Sequence, residues 1–341
     1  MEKIRFGKTG LMVSKIAFGG IPIQRLSTED AVDVVKGCIG LGVNFLDTAN
    51  GYSDSEEKIG IAIKNMPRDG LVIASKSGAK DKKGLLEHLE LSLKRMGTNY
   101  VDIYQLHGVS SKEAMDMVFA PGGAYEGLED AIKAGKVRFP AFSSHSVPIA
   151  IDLMKTEKFA CTQLPFNFVD NEVLDEAVPL AKKLDIGFIA MKPFGGGLIE
   201  DANLAIKYLA QFEGVVPDPG IEKLSEMEEI VAIVNANKPL TAEDELAIEK
   251  LKEELGSSWC HRCEYCRPCP QNIAISMALN TKSITKRMPP QRVKAMMSAI
   301  MGKAAECTEC RACVSRCPYN LDIPLLLKEN LEFFERYSSE N

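Results

Sequence analysis

The chain has 341 residues, 45% of them hydrophobic and 26% charged, which suits a soluble globular protein and is too long for one small domain. Its formal charge of −6 is uneven: residues 1–256 carry 29 Lys+Arg against 39 Asp+Glu, and residues 257–341 carry 12 against 8. No apolar run reaches the ~18 residues of a membrane helix, and the opening MEKIRFGKTG lacks the basic-then-apolar order of a secretory signal, so a cytoplasmic protein without a membrane partner is expected.

In chain order, IRFGKTGLMVSK reads as a hairpin with a Lys-Thr-Gly turn. Short apolar runs then alternate with amphipathic stretches. The predicted strands are KIAFGG, NFLDTA, LVIASK, VDIYQLH, VRFPAFSS, CTQLPF, GFIAMK and GVVP; helices between them include DAVDVVKGCIGLG, LLEHLELSLKRM and EVLDEAVPLAKKL. Eight such units in about 240 residues predict an α/β fold, a (β/α)8 TIM barrel with parallel strands joined by helical crossovers. KPLTAEDELAIEKLKEELGSS follows as one polar helix with Thr241 as its N-cap. A cysteine-rich segment and a final amphipathic helix, IPLLLKENLEFFERY, close the chain. The expected organisation is a barrel over 1–240, a connecting helix over 241–256 and a smaller, mainly α-helical ferredoxin-like domain over 257–341.

Four polar residues stand at or just past the ends of three successive predicted strands: Asp47 and Tyr52 in FLDTANGY, Lys76 in VIASKSG and His107 in IYQLHGV. Singly, each reads as an ion pair or a satisfied core polar group. Jointly they fall on one patch of a barrel mouth, where such enzymes keep their chemistry. Reducing a carbonyl by hydride transfer requires a proton donor. A phenol of pKa ~10 becomes a better one beside a cation; Lys76 supplies that cation, Asp47 holds Lys76, and His107 orients the carbonyl or shares the proton.

With these residues, GKVRF and MKPFGGGL, the first 235 or so residues resemble the aldo-keto reductase family. The resemblance implies an oxidoreductase acting on a small-molecule carbonyl or alcohol, with Tyr52 as general acid/base and Asp47, Lys76 and His107 completing the tetrad. It also implies NADP or NAD as cofactor. Ser143, Ser144 and Gln163 match positions that hold the nicotinamide carboxamide, and Gly195, Gly196 and Gly197 match a loop that lets backbone amides approach the phosphates. The sequence departs from the family in placing Met191 where an aromatic ring covers the nicotinamide. After the last strand, Lys223 is the only cation in PDPGIEKLSEMEEIVAI, Glu228 falls near a usual Arg and Ile230 near a usual Asn. His145 follows the two serines and faces the site in this reading, whereas His88 is expected at the surface.

Eight of the ten cysteines form two groups, Cys260, Cys263, Cys266, Cys269 and Cys307, Cys310, Cys313, Cys317. The second, CTECRACVSRCP, has the C-x2-C-x2-C-x3-C-P spacing of bacterial ferredoxins, whose fourth cysteine ligates the other cluster. By that rule Cys260, Cys263, Cys266 and Cys317 hold one [4Fe–4S] cluster, and Cys269, Cys307, Cys310 and Cys313 hold a second. Disulfides are disfavoured without a secretory signal, and zinc sites use two pairs with a longer gap. The first motif has two residues, not three, before its last cysteine, and the stretch between the motifs reads as helical. Together they resemble the helical ferredoxin domain attached to a subset of aldo-keto reductase-like proteins. Cys38 and Cys161 are expected to be packing residues. No carboxylate occurs between Glu264 and Glu306, while Lys282, Lys286, Arg287, Arg292 and Lys294 cluster there; with no aromatics interleaved for stacking, the run reads as compensation for thiolate charge or a docking site for an acidic redox protein such as a ferredoxin, not as a nucleic-acid surface. Two functions stay open: a carbonyl oxidoreductase with an electron-transfer domain, or an electron-transfer protein whose barrel is a docking scaffold or hosts a one-electron substrate.

Overall fold

The computed structural model describes residues 1–256 and 258–341. It divides into two compact units, Met1–Phe194 with Ile199–Pro239, and Gly195–Leu198 with Leu240–Asn341. The helix Ala242–Gly256 thus lies in the second unit. The expected domain start at residue 257 falls on Ser257, outside the described residues.

In the first unit, β1 (Lys3–Phe6) and β2 (Leu11–Ser14) form the antiparallel hairpin. The eight strands that follow are β3 (Phe18–Gly19), β4 (Phe45–Asp47), β5 (Val72–Ser77), β6 (Val101–Leu106), β7 (Val137–Ser143), β8 (Cys161–Pro165), β9 (Gly187–Met191) and β10 (Val215–Asp218), all parallel and in sequential order. The Ala17 amide donates to the Pro217 carbonyl at 2.9 Å, and a parallel bridge between Gly19 and Gly220 closes the ring. β5 and β6 are buried along their whole length, as strands covered on both faces must be.

Period-two alternation on the strands builds the interior in storeys. Ala74, Ala141 and Ile189 on odd-numbered strands, with Ala17 just before β3, pack with Phe45, Ile103, Cys161 and Val216 on the even-numbered ones. Phe6 of the hairpin meets Phe45 edge-on at 5.4 Å. Two residues further along the even strands, on the same face, come Asp47, Gln105, Gln163 and Asp218. Two residues along the odd strands come Gly19, Lys76, Ser143 and Met191. The interior therefore changes from apolar to polar towards the carboxyl ends of the strands.

Helix starts follow their capping residues. Ser27, Asp81, Ser111 and Asp201 each accept from a backbone amide of the first turn. The predicted helix over 172–184 is instead a short 3-10 turn, Glu172–Leu174, and a helix Ala177–Lys183. Pro179 sits in the first turn of that helix. An earlier start would set its ring against the carbonyl of Asp175.

The second unit is helical: Ala242–Gly256, Ile275–Leu279, Thr281–Thr285, Pro290–Ala304 and Ile323–Glu340. Thr241 caps the first of these reciprocally with Asp244, at 3.2 and 2.9 Å. Ile275, Val293, Met297, Ile323 and Leu327 lie in its core, with six of the grouped cysteines packed against it. Among the described residues, no helix is long and apolar enough to cross a membrane.

Candidate functional sites

Asp47, Lys76 and His107 stand at or just past the carboxyl ends of three successive strands. Asp47 ends β4, Lys76 lies in β5, and His107 follows β6, its amide bonded to the Ser77 carbonyl at 2.9 Å. Beyond β4 the chain stays zipped to β5, with Thr48 N to Ala74 O at 2.9 Å and Asn50 N to Lys76 O at 3.0 Å. That pairing brings the turn carrying Tyr52 back over Lys76. The Lys76 ammonium pairs with Asp47 and donates to the Thr48 carbonyl at 2.8 Å. It lies 5.3 Å from the centre of the Tyr52 ring, and the His107 ring meets Tyr52 edge-on at 6.0 Å. The structure brings all four together.

Their charges follow from burial and neighbours. Burial alone would make Lys76 give up its proton; its charged neighbours, Asp47 foremost, outweigh it and hold the pKa above the usual lysine value. His107 goes the other way: burial, then Lys76 and Lys80, push its pKa down to about 3. The ring is neutral at physiological pH, a hydrogen-bonding group and not an acid.

Other buried ion pairs in this unit are structural. Asp102 is bound by Arg68 and Arg138, and Glu56 by Arg95 and Ser75. His88, expected at the surface, is half-buried, its Nδ1 2.8 Å from the Ser77 hydroxyl, because its helix face is turned onto β5.

Of the expected nicotinamide contacts, Ser143 Oγ accepts from the Gly108 amide at 3.0 Å, and Ser144 Oγ bonds Ser110 Oγ at 3.3 Å and the Ser146 carbonyl at 3.1 Å. Gln163 Nε2 donates to Asp218 Oδ2 at 2.9 Å, while its buried Oε1 meets no partner. That oxygen is an acceptor suited to a carboxamide N–H. Met191 closes β9 and is half-buried. The Lys192 ammonium, next in the chain, lies 2.8 Å from His145 Nε2. Gly195–Leu198 group with the second unit instead. There all three glycines have positive φ, a side chain on Gly195 would run into Trp259, and the Gly196 and Gly197 carbonyls accept from Ser283 and Lys286 at 3.2 and 2.6 Å. After β10, Glu226 accepts from the amides of Glu222 and Lys223, capping the helix Leu224–Ala236; Glu228 is exposed and Ile230 is buried. Sequence reasoning missed Gln105, Asp218 and Lys192.

In the second unit, Cys260 feels burial first and then, among the thiols, Cys263 and Cys317; its pKa rises to about 11. Cys266, driven to about 12 by burial, has Cys260 and Cys263 as its neighbouring thiols. Cys313, also raised first by burial, neighbours Cys307 and Cys310, and a cavity is lined by Cys269, Cys307, Cys310 and Cys313. The fourth cysteine of each motif thus stands with the first three of the other. Among the described residues, no three His, Cys, Asp or Glu side chains converge as closely as a single ion demands. A cubane, bound one thiolate per iron corner, takes a wider set, and these two groups suit it. Trp259 is buried, and His261 stacks on Tyr319 at 3.7 Å. Cys38 and Cys161 are fully buried, as expected of packing residues.

The Aldo/keto reductase family model matches residues 15–215, and a 4Fe-4S dicluster domain model matches residues 259–322. The probable aldo-keto reductase 1 of Glycine max is 26% identical over 215 residues, 58% of this chain and 60% of that protein. The oxidoreductase YqkF of Bacillus subtilis is 28% identical over 220 residues, 60% of this chain and 68% of that one. The chain thus spans less than two thirds of the soybean relative. Among solved structures, the holo form of aldo-keto reductase AKR11C1 from Bacillus halodurans superposes with a TM-score of 0.64 at 23% identity, covering 74% of this chain and 96% of that one. The Klebsiella pneumoniae aldo/keto reductase in complex with NADP and acetate gives 0.63 at 21%, covering 74% and 95%. At such identities these likenesses establish the fold.

Proposed function

Because the chain belongs to the aldo/keto reductase family, we propose that its first unit reduces a small-molecule carbonyl, or oxidises the corresponding alcohol, with Tyr52 as the general acid/base. The observation that carries this reading is the Lys76 ammonium, held by Asp47 and set 5.3 Å from the Tyr52 ring. A bound NADP or NAD would supply or accept the hydride. Tyr52 gives its hydroxyl proton to the carbonyl oxygen as C=O becomes C–O, and Lys76 stabilises the phenolate left behind. Neutral His107 orients the carbonyl by a hydrogen bond. Gln163 Oε1, with Ser143, Ser144 and Met191, would hold the nicotinamide end.

The second unit is proposed to carry two [4Fe–4S] clusters, on Cys260, Cys263, Cys266 and Cys317 and on Cys269, Cys307, Cys310 and Cys313. Such clusters supply single electrons, which hydride donors do not provide directly, so an acidic one-electron carrier meeting the basic run from Lys282 to Lys294 is the proposed partner.

The test of the first proposal is Tyr52→Phe, assayed with an aromatic aldehyde and NADPH or NADH. Turnover should fall ~10²–10⁴-fold with nucleotide affinity nearly unchanged, since the hydroxyl acts on the developing alkoxide. Normal turnover by this variant would overturn the assignment.

A further inference from the structure

The polar storey of the barrel contains more acceptors than donors. Asp47, Gln105, Gln163 and Asp218 come from alternate strands, each at least nine-tenths buried. Gln105 Nε2 donates to Asp47 Oδ1 at 3.2 Å; Gln163 Nε2 donates to Asp218 Oδ2 at 2.9 Å and lies 3.4 Å from Asp47 Oδ2. Three buried atoms of this storey meet no partner, Gln105 Oε1, Gln163 Oε1 and Asp218 Oδ1, and all three are acceptors. Asp218 also lies within electrostatic reach of both Asp47 and the Lys76 ammonium. Two ionised carboxylates beside one ammonium would leave this buried cluster with one negative charge that nothing balances.

We propose that Asp218 is protonated at neutral pH and acts as a positioning residue for the Tyr52–Lys76–Asp47 site, its neutral carboxyl keeping the storey uncharged overall. The role rests on the general acid/base assignment of Tyr52 above. With Asp218 protonated, the Lys76 cation balances the Asp47 anion, and an orphaned acceptor becomes a donor. If Asp218 ionises, one buried negative charge is left over. It disfavours the Tyr52 phenolate and so weakens Tyr52 as an acid.

The surroundings supply the cause. β9 presents Met191 beside Asp218, and β3 presents Gly19, where even a Cβ would stand 3.0 Å from Asp218 Oδ1. Neither strand offers a charge. β8 offers neutral Gln163, β4 the Asp47 carboxylate and β5 the Lys76 ammonium, with neutral His107 and Tyr52 above. On its own loop, Glu222 pairs with Arg25. Burial first, then Asp47, raise the Asp218 pKa well above the usual carboxylate range, against the opposing pull of Lys76 and Gln163.

The sign is fixed by linkage. Since the folded-state pKa is raised, the stability Asp218 contributes is complete below its unfolded pKa near 3.8 and is lost as pH rises through the folded value. Infrared spectra of the full-length protein should show the C=O band of an undissociated carboxylic acid at pH 7, present in wild type and absent in Asp218→Asn. Absence of the band from wild type at pH 7 overturns the protonation; this wild-type measurement serves even if the variant fails to fold. The second arm is the pH–rate profile of aromatic aldehyde reduction with NADPH. The alkaline fall in kcat should move to higher pH by at least one unit in Asp218→Asn, whose amide cannot ionise, while an unmoved limb overturns the positioning role. Failure of the Tyr52 assignment would show separately, as full activity in Tyr52→Phe with the infrared band intact.

Discussion

The two units handle buried polar chemistry in opposite ways. The barrel encloses its polar groups in a storey of strand side chains, where Asp47, Lys76, Gln105, Gln163 and Asp218 bind one another above an apolar stack. The helical unit leaves its eight grouped cysteines half-buried or exposed around a small core, six of them packed against it. The donors of the first unit's storey are met by its own side chains, whereas the second unit presents its thiols within the segment that the 4Fe-4S dicluster domain matches. Burial therefore separates the cysteines into two sets: Cys38 and Cys161 lie deep in apolar packing, and none of the eight grouped cysteines does.

The sharpest way to break this contrast is to strip the iron. The second unit should lose its helical order while the barrel keeps its own, because metal binding free energy is folding free energy in a small ligand-dependent domain. Limited proteolysis of chelated, reduced protein should cut within residues 260–341 and spare the barrel. A cut pattern unchanged by iron removal would erase the distinction. Next in size is Phe45→Ala, which empties the stack beneath the polar storey and should cost ~3–5 kcal/mol of barrel stability. Calorimetry should find that loss equal in iron-loaded and iron-free protein. The smallest effect sharpens the contrast from the other side. Thr241→Ala removes a reciprocal cap in the helical unit and should cost ~1 kcal/mol, read as a shift in the denaturant midpoint of that unit alone.

The eight strands and the hairpin were legible because short apolar runs and turn residues are local signals. The grouping of Asp47, Lys76 and His107 was legible for a related reason: they follow apolar runs at strand ends, so topology alone gathers them. Asp218 was overlooked because VPDPG reads as a turn between prolines. Its signal lay in register: Phe45-x-Asp47, Ile103-x-Gln105, Cys161-x-Gln163 and Val216-x-Asp218 repeat one pattern on every second strand. The glycine triplet marks the opposite limit. Its sequence announces positive φ, but the packing of Trp259 against Gly195 joins residues 64 positions apart and leaves no local trace. The break before Ala177 was readable, since Pro179 announces it, yet the apolar period running through residues 172–184 masked it.

The polar storey also has a bearing on how this sequence can drift. Its members lean on one another across five strands far apart in the chain: replacing Gln163 strips Asp218 of its donor, and replacing Asp47 leaves the Lys76 cation buried without its counter-ion. Single substitutions there are penalised twice, once for the lost group and once for the partner left stranded. Substitution at this level of the barrel is therefore expected to cost least when made in compensating pairs.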